Sequence, residues 1–137
     1  MGFDQFGMKN FVSETKAEEF VAHLKEGRMM TTRCKKCHRI TFPPKMDCPP
    51  CRASEVEWVE VGQPGRLKTF TTVMYGPAGF EKETPYILAL VEFPMGIKIF
   101  GQMDKKLPTH EIRVEMELKV VPVKLPNDRY SYQFEKV

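Results

Sequence analysis

The four cysteines of this 137-residue chain fall in two pairs, Cys34-Lys-Lys-Cys37 and Cys48-Pro-Pro-Cys51, ten residues apart. A two-residue gap lets both sulfurs of a tight turn face one ion, and two such turns complete a tetrahedron. Four thiolates satisfy Zn²⁺ and leave no position for water, so the spacing predicts a structural zinc held by Cys34, Cys37, Cys48 and Cys51. Iron held as in rubredoxin takes the same ligands, and the spacing alone leaves it open. Two metal-free arrangements compete: a pair of disulfides, and a redox-active Cys48-Pro-Pro-Cys51. No signal peptide is read at the start of the chain, which implies a reducing cytosol and free thiols. The second pair also lacks the strand-then-helix setting of thioredoxin-like motifs.

Charge is distributed unevenly. The net charge of +3 and a pI near 8.7 are too mild to demand nucleic acid or an anionic membrane as partner. Between residues 28 and 52, however, Arg28, Arg33, Lys35, Lys36, Arg39, Lys45 and Arg52 face Asp47 alone. A zinc tetrathiolate is itself anionic, so these cations either offset it or form an anion-binding surface. No apolar run approaches membrane-spanning length. The expected location is the cytoplasm.

Apolar spacing divides the rest of the chain. Residues 1–27 are read as an arm bearing Phe3, Phe6, Met8 and Phe11, followed by an amphipathic helix. Thr15 and Glu18 form a capping-box pattern, Gly27 is the stop, and Ala17, Phe20, Val21 and Leu24 make one stripe over about three turns. His23 lies off that stripe and is expected in solvent. Residues 28–55 are read as the zinc ribbon and 56–137 as an OB-fold. In the second part Val56–Val61, Arg66–Tyr75, Ile97–Met103, Val114–Val120 and a final run with Tyr130, Tyr132 and Phe134 read as strands, and the nearly unbroken apolar run Tyr86–Phe93 as a central one. Strands in this number, with a non-strand connection before the fifth, suit a small Greek-key barrel. The fold class expected is mainly β: an N-terminal helix, a rubredoxin-like zinc ribbon, then an OB-fold barrel.

No catalytic triad, phosphate-binding glycine loop or metalloprotease motif is present, and every cysteine is taken by the metal reading. This favours a binding or accessory role. The ordered set of amphipathic helix, Cys34-Lys-Lys-Cys37, Phe42-Pro-Pro44, Cys48-Pro-Pro-Cys51, Val56–Val61, Gly65 opening a strand and Pro85-Tyr86 opening an apolar one resembles a known family. It is the acyl-CoA-associated family called domain of unknown function thirty-five, and the resemblance covers roughly residues 15–135. One departure is Glu115, where the family commonly has glycine.

The resemblance implies a zinc ribbon joined to an OB-fold. It also implies a thiolase or thiolase-like partner in a hetero-oligomer, as for the small accessory subunit of thiolases such as benzoylsuccinyl-CoA thiolase. In that reading the partner supplies the nucleophilic cysteine, and CoA or acyl-CoA is a shared ligand. Cations at Arg33, Lys35, Lys36 and Arg39 are then candidates for its phosphates, and Phe80 for the wall of its channel. Phe3, Phe6, Phe11, Phe20 and Leu24 are candidates for docking the partner. The alternative is a single-stranded nucleic-acid-binding module with Lys68, Phe70, Lys98 and Phe100 as its platform, a field diluted by Glu81, Glu83, Glu115 and Glu117.

Overall fold

The computed structural model describes residues 5–8, 17–80, 82 and 84–137. Helix α1 (Glu19–Lys25) is followed by β1 (Met30–Cys34), β2 (Ile40–Thr41) and β3 (Val56–Glu60). Then come β4 (Gly65–Val73), β5 (Tyr86–Phe93), β6 (Ile97–Met103), β7 (Glu117–Leu125) and β8 (Arg129–Lys136). The first three strands form a sheet ordered β2-β1-β3, and the other five close into a barrel ordered β4-β5-β6-β8-β7. Every barrel pairing is antiparallel except β6 with β8. A closed five-stranded Greek-key barrel behind a small ribbon is the OB-type architecture expected from the sequence.

The helix is shorter than its stripe suggests, running for seven residues, and Glu18 at its N-cap makes no side-chain cap bond. Thr15, the expected cap, lies outside the described residues. The C-terminal stop is as read. Gly27 takes φ +79°, its N–H bonds to Leu24 O at 3.0 Å, and Arg28 N–H reaches His23 O at 2.9 Å, the paired bonds of a Schellman stop. So short a helix needs tertiary packing, and Phe20, Val21 and Leu24 are all buried. His23 is not solvated as expected: its ring lies 5.0 Å from Trp58 and both nitrogens are buried.

Three strands depart from the sequence pattern. Val56–Glu60 reads as the first strand of the barrel, yet it pairs along its length with β1, from Met30↔Glu60 to Cys34↔Val56. Alternation declares a strand but not its partner. In β4 the register shifts between Leu67 and Thr69, a bulge that breaks the single face on which strict alternation would set Leu67, Thr69, Thr71 and Val73. Leu67 and Phe70 therefore turn to the core, while Thr69 and Thr71 are exposed. The alternation from Val114 also starts too early, because Val114 is exposed and β7 begins at Glu117. Between them Glu115 holds φ +73°, donates its N–H to Leu67 O at 2.7 Å and accepts from Lys68 Nζ at 2.9 Å. Such a left-handed backbone conformation favours glycine over a residue that carries a Cβ.

Four rings join the parts. Phe6 of the arm, Phe20 of α1, Phe42 just past β2 and Tyr132 of β8 pack with centroids 5.6–6.3 Å apart. Burial pushes the Tyr132 phenol up to about 12, and its O–H donates to Phe100 O at 2.9 Å. Beneath it is Gly101, where a Cβ would stand 2.9 Å from Tyr132 Cε2.

Backbone strain makes the first prediction. Glu115→Gly relieves a left-handed conformation that costs about 1 kcal/mol, against an exposed ion pair that contributes less, so the denaturation midpoint should rise. Gly65→Ala should lower it by about 1–3 kcal/mol, since the new Cβ would meet Val91 Cγ1 at 2.7 Å and the Phe93 ring at 2.8 Å. Chemical denaturation of the two variants checks both signs.

Candidate metal centre and the surfaces around it

Two copies of one turn build the centre. The first lies between β1 and β2, where His38 N–H bonds to Cys34 O at 2.9 Å and Cys34 N–H to Arg39 O at 2.9 Å. The second repeats it, with Arg52 N–H to Cys48 O and Cys48 N–H to Ala53 O, both at 2.8 Å. Each turn closes on a residue of positive φ, His38 at 64° and Arg52 at 60°. Buried threonines of β1 brace the intervening loop. Thr31 Oγ1 donates to Thr41 O, and Thr32 Oγ1 both donates to Lys45 O and accepts from Lys45 N–H, each at 2.9 Å.

The turns bring all four Sγ atoms within 4.8 Å of one another, with Cys34 to Cys51 at 3.5 Å and Cys37 to Cys48 at 3.4 Å. Four sulfurs about 2.3 Å from one tetrahedral ion stand about 3.8 Å apart, so the donor set fits Zn²⁺. Without a cation the four thiols cannot all ionise. Cys34 is favoured as thiolate, since the Cys37 backbone N–H helps lower its pKa to about 6. Cys48 receives the Cys51 N–H, which also lowers its pKa, but burial and its thiol neighbours outweigh that and raise it to about 12. The chemistry of such a site is to cross-link the ribbon. With four thiolates bound, the ion has no position left for a substrate.

The remaining expected residues are dispersed. Lys35, Lys36 and Arg39 are exposed on the first turn, and none has a carboxylate partner among the described residues. Arg33 is instead paired with Glu57 opposite it on β3, Nε at 2.8 Å and Nη2 at 2.5 Å from Oε1. Phe80 belongs to the β4–β5 loop, where it packs 6.1 Å from Tyr86. Tyr86 in turn lines a cleft at the end of the barrel, a feature the sequence reading missed because its walls come from β4, β5, β6 and the segment after β6. For docking, Phe20 and Leu24 are corrected: both are buried in this chain's own core, because the helix stripe covers the barrel. Phe6 is half-buried in the aromatic junction, and Phe3 and Phe11 lie outside the described residues. Of the nucleic-acid platform, Lys98 and Phe100 are exposed, while Phe70 packs on the core and Lys68 pairs with Glu92 and Glu115.

Comparison with known proteins places this arrangement. Residues 21–57 match the rubredoxin-like zinc ribbon domain of ChsH2, and residues 58–123 match its C-terminal OB-fold domain. Benzoylsuccinyl-CoA thiolase subunit BbsA of Geobacter metallireducens is 33% identical over 108 residues, 77% of this chain and 72% of that protein. A DUF35 domain-containing scaffold protein of Methanocaldococcus jannaschii is 28% identical over 139 residues, 96% and 98% of the two chains. The chain belongs to the DUF35 family. Among solved DUF35 structures, the Ltp2-ChsH2(DUF35) aldolase chain superposes with a TM-score of 0.76 over 90% of this chain and 97% of its own, at 21% identity. A DUF35 protein of Sulfolobus solfataricus gives 0.59 over 88% and 86%, also at 21% identity. At that identity the likeness speaks for the shared fold.

The DUF35 ribbon should hold about one zinc per chain, read by elemental analysis of a colourless protein. Chelation, or Cys48→Ser, should unfold the ribbon and leave the barrel largely protected in hydrogen exchange, because ligation energy is folding energy in so small a unit. An iron chromophore, or two disulfides by mass, would refute the assignment.

Proposed function

We propose that this DUF35 protein is a non-catalytic accessory subunit of a thiolase-type acyl-CoA acyltransferase complex, supporting assembly and the binding of CoA or acyl-CoA. The observation that carries the reading is the likeness to BbsA, named as a thiolase subunit, across ribbon and barrel together. The geometry supports it. All four cysteines converge on one closed site, so the chain keeps no free thiol to serve as a thiolase nucleophile, and the partner supplies that group.

The role left to this chain is to orient. CoA is polyanionic at one end and narrow at the other, and holding it turns binding energy into alignment of the thioester with the partner's nucleophile. Lys35, Lys36 and Arg39, exposed and without a carboxylate partner among the described residues, are the groups that meet its phosphates; Arg33 contributes less because Glu57 already neutralises it. Phe80 borders the path of the pantetheine arm. Bound Zn²⁺ supplies only the cross-link that fixes the first turn, and with it the spacing of those cations.

Co-expression with a thiolase-type subunit tests the assignment. The complex should purify intact and turn over acyl-CoA, whereas this chain alone should show no turnover. Lys35→Ala with Lys36→Ala should raise KM for the acyl-CoA several-fold at unchanged kcat, with the gap narrowing as salt screens the wild-type contact. An unchanged KM in a complex that assembles and holds zinc would assign the cations to balancing thiolate charge. Turnover by this chain alone would end the accessory reading.

A further inference from the structure

Strand edges expose backbone N–H and C=O groups, and proteins block them with proline, charge or a covering segment. Two openings of this barrel are blocked in that way. β7 carries Pro122, which has no N–H, and Lys124. On the same strand the Gln63 side chain imitates a neighbouring strand: its Nε2 donates to Val120 O at 2.9 Å and its Oε1 accepts from Val120 N–H at 3.1 Å. Pairing of β6 with β8 is confined to Gln102↔Gln133 and Met103↔Phe134, and beyond it Phe6 bridges Tyr130 while Gly7 N–H bonds to Tyr130 O at 2.7 Å.

The edge of β4 has no such cover among the described residues. Its contact with β7 ends at Leu67, whose N–H bonds to Met116 O and whose C=O accepts Glu115 N–H. Past the bulge, Thr69 to Val73 pair with β5 alone. This run contains neither proline nor charge, Thr69, Thr71 and Thr72 are exposed, and Met74 and Tyr75 continue it at 61% and 94% exposure. Thr72 also lines the cleft of about 230 Å³, whose walls carry the charged Asp104 and Lys105 beside Tyr86, Ile87, Met103, Leu107 and Thr109.

We propose that the Thr69–Val73 edge of β4 docks an extended segment of the partner subunit, which adds a strand to the barrel and sets one large side chain in the adjoining cleft. An unpaired edge selects extended backbone, and a neighbouring cleft selects a side chain. The lack of charge along the edge selects an uncharged segment. A second copy of this chain is disfavoured by size: five residues of strand, about 17 Å long and about 10 Å deep with their side chains, cover on the order of 200 Å² per partner, whereas a stable interface buries about 800 Å² per partner. The occupant is therefore held by further contacts of its own, as a segment of a large subunit is. This inference rests on the reading of the chain as a subunit of a thiolase-type complex.

Hydrogen exchange on the full chain, alone and in the complex with the co-expressed thiolase-type subunit, tests it. Amides within 69–73 should exchange at least about tenfold more slowly in the complex. Thr109→Trp, which fills the cleft from an exposed position, should weaken assembly by about tenfold or more, while Lys124→Ala should not. A complex that forms with exchange at 69–73 unchanged overturns the edge as dock and leaves the subunit reading standing. Failure of any complex to form overturns the reading and the inference together. Protection of 69–73 in the isolated chain, with a dimer in sedimentation, gives the edge to a second copy and overturns the proposal.

Discussion

The packing of Phe6, Phe20, Phe42 and Tyr132 against one another is the contact on which the architecture depends, because each ring comes from a different segment. None of the smaller parts is self-sufficient. The helix has seven residues and β2 has two, so neither buries enough surface alone to offset the entropy of ordering it. Burying a phenylalanine contributes about 1.5–3 kcal/mol and a well-placed aromatic pair about 0.5–1.5 more, enough to hold arm, helix, ribbon and barrel in fixed relation. Gly101 belongs to the same contact, since any side chain there would lift the Tyr132 ring. The helix stripe that would otherwise be free for a partner is thereby turned inward.

The ribbon rests on a second constraint, electrostatic in origin. Four sulfurs within 4.8 Å of one another cannot share that space as thiolates without a cation, nor bond well as thiols. The turns that deliver them also place His38 and Arg52 in the left-handed region, at about 1 kcal/mol each. Ligation offsets both costs. A centre so arranged is rigid and chemically closed. With its cysteines so engaged, the centre leaves contacts with other molecules to the surfaces of the chain.

Much of this was legible in the sequence. The cysteine spacing determined the ligand turns, because a two-residue gap admits few geometries; an apolar run located Tyr86–Phe93 and alternation Ile97–Met103, both to the residue. Gly27 announced its helix stop through the one backbone conformation that glycine takes without strain. What only the tertiary structure decided was pairing and occupancy. Val56–Glu60 has a strand's pattern whichever sheet receives it, and it joined β1. The bulge at Lys68 reversed the faces of β4, which no count of alternating residues foresees. Arg33 looked like its neighbours until Glu57 appeared opposite it, and Phe20 looked available until the barrel covered it. The physical reason is common to all four: local pattern records what a residue prefers, whereas its partner is chosen among residues distant in sequence by the closure of the barrel and the packing of its core.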